Sequence, residues 1–246
     1  MSTQDPYGDV MAEAYDAFVE ADAREDLQDW LDLARACAGP VLELGSGTGR
    51  LLVPMQAEGL DVEGLDASEA MLARCRRRAE EHGLSARLHH RNMTAFTLDR
   101  SFALVFCAAG TVSLLGDGAL DAMLASTRRA CRPGALVALD VDLPGPAPDL
   151  GDEHLVRDVL RPDGVRMTCR LRALEIGADG VHRYRMTTEI TAPGHSPRVE
   201  VRPISFRPRT PELVASRLAL AGFVDITIRT APGRNAEGRL VVGQAR

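Results

Sequence analysis

Val41-Leu42-Glu43-Leu44-Gly45-Ser46-Gly47-Thr48-Gly49-Arg50 is the stretch whose reading decides the fold. An apolar run carrying one acid breaks into three glycines spaced two apart, and an amphipathic run follows. Glycine adopts left-handed backbone conformations without a Cβ penalty and lets a bound group approach the main chain. The spacing therefore predicts a sharp strand-to-helix turn that cradles a ligand. Seventeen residues beyond Gly49, a second apolar run (Leu60, Val62, Leu65) ends on Asp66. A carboxylate at the end of the second strand of such a unit can hold both hydroxyls of a ribose. Together the two features point to a cofactor with an adenosine end, bound at the carboxyl edge of a parallel sheet.

Working outward, Val10, Met11, Ala14, Phe18 and Val19 recur at helical spacing, and a second helix is predicted over 25–37, ending before Gly39-Pro40. Strands are predicted at 41–45, 60–65, 86–90, 102–109 and 135–141. Between them come helices starting near Arg50, at Ser68 (a good N-cap) and over 117–131. Such alternation, with strands apolar along their whole length, marks a parallel sheet buried on both faces. After Pro144-Gly145-Pro146 the rhythm changes to period two, through Val165, Met167, Cys169 and Leu171 and again over 181–190, with a turn at Gly177-Ala178-Asp179-Gly180. Two or three antiparallel strands are expected there. A helix opening at Pro211 and strands at 223–228 and 239–242 complete the sheet. The expectation is one α/β domain over 1–246: a helical lid (1–38), a cofactor-binding core (39–150), an antiparallel cap insertion (151–208) and the C-terminal part of the core sheet (209–246).

The composition narrows the function classes. A net charge of -6 over 246 residues argues against a general nucleic-acid binder. Every basic residue is arginine, which excludes a lysine nucleophile or Schiff base. Cys37, Cys75, Cys107, Cys131 and Cys169 are scattered and no histidine cluster has ligand spacing, so reduced thiols and no metal are expected. The first ten residues are polar and acidic, unlike a signal peptide, and the longest apolar run, over 102–115, is too short to span a bilayer. A cytoplasmic protein without membrane or nucleic-acid partners is expected, as a monomer or homodimer.

The chain resembles the class I S-adenosylmethionine (SAM)-dependent methyltransferases over roughly 7–142 and again over 204–242. Beside the glycine loop, the resemblance rests on Asp66-Ala67-Ser68-Glu69-Ala70-Met71-Leu72, Arg91-Asn92-Met93, the run from Phe102 to Ala109 and Arg132-Pro133-Gly134, in that order. It is similar to the small-molecule branch, including glycine N-methyltransferase and the amino-sugar N,N-dimethyltransferases. That branch also shares the Tyr7…Tyr15-Asp16 pattern and the cap. The resemblance implies a Rossmann-like seven-stranded, mostly parallel sheet with helices on both faces and an inserted antiparallel cap. It implies SAM as cofactor, with S-adenosylhomocysteine (SAH) as product. Glu43, Gly45, Ser46 and Gly47 would hold the methionine part, and Asp66 the ribose. Ala67, Met71, Asn92 and Met93 would line the adenine, and Cys107 and Ala108 would run beneath the sulfonium. Tyr15 and Arg24 would close over the methionyl end. Many relatives have Asp where this chain has Asn92, whose amide oxygen is expected still to accept from the adenine amino group, and some amino-sugar enzymes have His where it has Leu114.

Methyl transfer from a positively charged sulfur needs alignment and exclusion of water more than acid–base help. A neutral amine needs little base assistance, and a hydroxyl needs more. With no histidine after the fourth strand, Tyr7 and Tyr15 are the nearest catalytic candidates, so nitrogen is favoured as acceptor. The expected activity is methylation of a small-molecule amine in specialised metabolism. The alternatives are a small-molecule O-methyltransferase, methylation of a peptide N-terminus, a SAM-fold protein without methyl transfer, and a nicotinamide oxidoreductase. Residues 152–209 carry eleven arginines against eight acids. Arg157, Arg170, Arg183, Arg185, Arg202 and Arg207 are thus candidates for holding an anionic substrate, or else line the solvent face of exposed strands.

Overall fold

The computed structural model describes residues 7–21, 26–231 and 238–246. In chain order the elements are α1 (Asp9–Ala21), α2 (Leu27–Ala36), β1 (Val41–Leu44), α3 (Leu52–Ala57), β2 (Val62–Asp66), α4 (Glu69–Glu81), β3 (Arg87–His90) and β4 (Phe102–Cys107). A 3-10 turn (Thr111–Leu114), α5 (Asp117–Ala130), β5 (Cys131–Asp142), β6 (Glu153–Leu160), β7 (Arg166–Ile176), β8 (His182–Thr191), β9 (Arg198–Phe206), α6 (Pro211–Leu220), β10 (Phe223–Thr230) and β11 (Gly238–Ala245) follow. Ser68 caps α4 by accepting the Met71 N–H, as its position predicts.

Seven strands form the core sheet in the order β10-β11-β5-β4-β1-β2-β3, the first five in sequence parallel and β11 antiparallel to β5 and β10. The chain runs outward from β1 to β3 and then returns to β4 on the other side of β1. That reversal creates the crevice at which ligands of open α/β sheets bind. Alternate side chains of β1 feed two cores. Leu42 and Leu44 pack with Leu65, Val105 and Leu139, while Val41 packs with Trp30, Leu52, Val62 and Phe106. Trp30 is buried and stacks on Phe106, with ring centroids 4.8 Å apart, so it is core and not a cofactor platform.

The cap holds four antiparallel strands, in the order β6-β7-β8-β9, where two or three were expected. The two runs placed from the sequence are β7 and β8; of the other two strands, β6 has exposed and half-buried residues with no clean alternation. Its pairing with β7 shifts register between Leu155 and Arg157, and a bulge of that kind erases a period-two pattern. The inner cap face, with Met167, Cys169, Met186, Ile190 and Ile204, packs on Met11, Ala14 and Phe18 of α1. Helix α1 is thus the wedge between cap and core. Asp16 reaches Arg74 of α4 at 2.9 Å, Glu13 reaches Arg198 of β9 at 2.7 Å, and Glu200 of β9 accepts the Met11 N–H. At the other junction the guanidinium of Arg209 is buried. It donates to the carbonyls of Val112 and Leu115 and to Asp117, tying the returning chain to the turn after β4.

Gly49 has φ +82°, and a Cβ there would lie 2.5 Å from Cys75 Sγ and 2.9 Å from Val53 Cγ2, both buried. Gly47 also has positive φ, yet a Cβ there would meet nothing within 4 Å. Gly49→Ala should therefore cost about 2–5 kcal/mol, from left-handed strain plus overpacking, and Gly47→Ala only about 1–2 kcal/mol. Urea unfolding of the two variants beside the parent checks the difference.

Candidate functional site

The carboxyl ends of β1, β2 and β4 converge on the glycine loop. Gly45, Gly47 and Gly49 all adopt positive φ. The loop is stitched to the end of β2, because the Gly45 N–H donates to the Leu65 carbonyl at 2.7 Å and the Gly47 N–H to Asp66 Oδ2 at 2.8 Å. The other oxygen of Asp66 accepts the Ser68 N–H at 2.8 Å. Two backbone bonds, one from each flanking loop, thus fix the orientation of the carboxylate before any ligand binds.

Glu43 lies in the central strand, abreast of Gly64 on β2 and Phe106 on β4. It is 4% exposed, and its Oε2 has no hydrogen-bond partner among the described residues. Burial pushes its carboxyl up to about 8; Arg50 opposes that rise, while Asp66 and Asp26 add to it and the Leu52 N–H opposes it. The hydroxyls of Ser46 and Thr48 are likewise buried without a partner. Three orphaned polar atoms within six residues are an expensive arrangement unless a polar ligand meets them. An ammonium group is the natural complement of a buried, unpartnered carboxylate.

Other residues expected at the site fall as follows. Ala67 is exposed beside Asp66, and Met71 is buried in the first turn of α4. Met93 is half-buried, packed against the core, with its Cε 3.5 Å from where a Gly45 Cβ would stand. Cys107 is fully buried and Ala108 nearly so, which leaves mainly backbone of this strand end to face a ligand. Burial pushes the Cys107 thiol far up, so it is no nucleophile. Ala109 and Gly110 follow in successive left-handed conformations, an unusual state for alanine that turns the chain sharply at the crevice. Tyr7 and Tyr15 meet edge to face, with ring centroids 6.3 Å apart, and the Tyr7 carbonyl accepts from Ser68 Oγ at 2.8 Å. The start of the lid is thus tied to the residue two beyond Asp66. Arg24 lies outside the described residues.

Asn92 is arranged differently from the expectation. Its amide oxygen accepts from both the Thr94 N–H and the Thr94 hydroxyl, at 2.9 and 2.8 Å, as in an Asx turn. Both lone pairs of that oxygen are engaged, so the group presented outward is the donor Nδ2. The cap arginines also divide. Arg170, Arg183 and Arg185 stand on the cap face opposite the buried Met186, Thr188 and Ile190; Arg185 is exposed and Arg183 pairs with Asp179 at 3.0 Å. Arg202 is paired with Glu200 and Arg207 with Asp117, while Arg157 donates to the Val156 carbonyl. Three of the six are thus solvent-face residues and two more are spent on acids. Among the described residues no group of His, Cys, Asp and Glu has metal-site geometry.

The pair that sequence reading missed is Asp26 with Arg50. They form a bidentate ion pair, Arg50 Nη2 to Asp26 Oδ2 at 2.8 Å and Nη1 to Oδ1, within electrostatic reach of Glu43. Nothing in a period or a motif joins two residues 24 positions apart.

Residues 41–134 match the family model described as a methyltransferase domain. The chain has the class I SAM-dependent methyltransferase fold. It is 31% identical over 144 residues to the dTDP-3-amino-3,6-dideoxy-alpha-D-glucopyranose N,N-dimethyltransferase of Streptomyces fradiae, covering 56% of this chain and 55% of that relative. The match therefore spans little more than half the length of that enzyme. Among solved structures, DesVI of Streptomyces venezuelae superposes with a TM-score of 0.77 at 23% identity, covering 96% of this chain and 98% of the other. SAM-bound CalS10, an amino pentose methyltransferase from Micromonospora echinaspora, superposes with a TM-score of 0.72 at 24% identity over the whole of both chains. The likeness in fold thus extends beyond the core sheet to the four-stranded antiparallel sheet.

Glu43 leads to a stability prediction. Its folded pKa lies above its unfolded value, so the fold takes up a proton between about pH 4.5 and 8 and its stability falls as pH rises through that window. Glu43→Gln, which does not titrate, should melt higher than the parent at pH 8, by about 2–4 °C per kcal/mol regained in a chain of this size. The gain should shrink toward pH 5. Thermal melts of the ligand-free proteins across that range check it.

Proposed function

We propose that this protein transfers a methyl group from SAM to an amine nitrogen of a small molecule in specialised metabolism. The observation that carries the reading is the buried, unpartnered Oε2 of Glu43 beside a glycine loop that is open at Gly47. These residues fit SAM. Glu43 would accept its ammonium, and the Gly45-Ser46-Gly47 backbone would border the methionyl chain. Asp66, oriented by the Gly47 and Ser68 N–H groups, would take the ribose hydroxyls. Ala67, Met71 and Met93 would border the adenine, with the Asn92 amide as a donor to a ring nitrogen. Tyr15 would stand over the methionyl end. When bound, SAM supplies a methyl group on positively charged sulfur.

The protein's own part is alignment and exclusion of water. The turn after β4, held by Arg209, and the inner cap face, where Tyr184 meets Phe206 edge to face at 5.6 Å, bound the acceptor side. Leu114 on that turn packs against the cap cluster and offers no base. Tyr7 and Tyr15 are the nearest titratable groups of the lid, and a phenol is a poor base at neutral pH. A neutral amine, which brings its own lone pair, suits this setting better than a hydroxyl. The relative's dTDP-linked amino sugar is the first acceptor to offer. The cap arginines give little support to an anionic acceptor, since most face solvent or carboxylates. The five free cysteines suit the cytoplasm, and no helix among the described residues is long and apolar enough to cross a membrane.

Calorimetry should detect SAH binding and no NADH binding, and Asp66→Ala should weaken SAH by about 100-fold, the weight of two hydrogen bonds to a charged group. With SAM, amine acceptors including a dTDP-3-amino sugar should turn over in preference to their hydroxyl analogues. Silence toward SAH in folded protein would sink the cofactor reading, and turnover of hydroxyl acceptors alone would sink the nitrogen preference.

A further inference from the structure

Asp26 occupies the N-cap position of α2, where aspartate ordinarily spends its carboxylate on the helix's own N–H groups. Here it makes no such bond. Both oxygens go instead to the guanidinium of Arg50, the residue immediately after the glycine loop. The carboxylate is 3% and the guanidinium side chain 16% exposed, so this is a nearly dry, fork-to-fork pair. A residue that forgoes its best local role for a partner 24 positions away marks a constraint beyond helix formation.

The neighbourhood explains what that constraint is for. Arg50 stands close enough to Glu43 to oppose the burial of its charge, and it also feels Tyr15. A guanidinium released from Asp26 would be drawn toward Glu43, whose Oε2 has no hydrogen-bond partner among the described residues. A Glu43 neutralised in that way could no longer receive an ammonium. With both forks of Arg50 engaged by Asp26, those two charges cancel, and the Glu43 carboxyl is left to ionise against the ligand's ammonium.

We propose that Asp26 is a positioning residue that holds Arg50 away from Glu43 and so reserves Glu43 for the ammonium of the cofactor's methionyl end. The assignment rests on the SAM reading above. The pair therefore acts on the amino-acid half of the cofactor and not on the adenosine half, which Asp66 and the α4 side of the crevice hold.

Two ligands separate the halves: SAH, which carries the amino acid, and methylthioadenosine, which lacks it. Asp26→Asn should weaken SAH by about tenfold or more, the weight of one charge-assisted contact, and leave methylthioadenosine within about twofold. Arg50→Lys, which keeps the charge but cannot fork, should shift the same way, and it serves if Asp26→Asn does not fold. The double variant Asp26→Leu, Arg50→Met removes the competing cation together with its restraint. Replacing a buried pair by apolar residues is often neutral for folding. It should bind SAH several-fold more tightly than Asp26→Asn does. A pair that only staples α2 to the loop predicts the reverse: both ligands weakened alike, and a double variant no better than the single. Either result would overturn the proposal. If the parent binds SAH and the variants fail to split the ligands, this assignment falls alone; if the folded parent binds neither ligand, the SAM reading falls with it.

Discussion

A carboxylate buried in the middle of an apolar parallel sheet is the constraint on which the rest of this structure turns. Glu43 stands in the central strand, between Gly64 and Phe106, and burial pushes its carboxyl up to about 8. Burying a charge is costly unless a partner compensates it, and the surroundings compensate only in part. Arg50 helps from a distance, committed to Asp26, and the Leu52 N–H helps from the start of α3. The fold thus stores an unfavourable feature where a cation is expected, as sites built for binding often do.

Asp66 works in the opposite way. Its two backbone bonds belong to the protein itself and join the glycine loop to the start of α4. It is oriented before a ligand arrives, whereas Glu43 awaits one. A preorganised acid and an unsatisfied one thus stand on adjoining strands beside the glycine loop. The segment leading into α1 is joined to this arrangement, because Ser68, whose N–H bonds Asp66, also donates its hydroxyl to the Tyr7 carbonyl. A movement of the chain at Tyr7 therefore reaches Asp66 through one residue, Ser68.

The cap is held at both ends by ion pairs and between them by an apolar seam. Asp16, Glu13 and Glu200 fasten α1 to the core and the cap, Arg207 and Arg209 fasten the returning chain to Asp117, and α1 fills the seam with Met11, Ala14 and Phe18. Arginine suits these junctions because its fork bonds two acceptors at once. The basic excess of the cap follows largely from this use and from its solvent face.

Sequence alone determined the core sheet. Its strands read as continuous apolar runs, its helices start at recognisable caps such as Ser68, and the glycines at 45, 47 and 49 are demanded by local backbone geometry. The placement of Glu43 and Asp66 beside that turn was legible for the same reason, since each sits at a fixed offset from it. Tertiary structure decided what depends on long-range pairing. Strand β6 was hidden by a bulge in its register with β7, and the facing of the cap arginines is set by which side of β8 packs on α1. Asn92 turned its oxygen inward because Thr94 follows it two residues on, a local competition that a motif reading overlooks. Asp26 and Arg50 meet only because α2 packs against the sheet beside the glycine loop, and no periodicity records a contact made by folding across 24 residues.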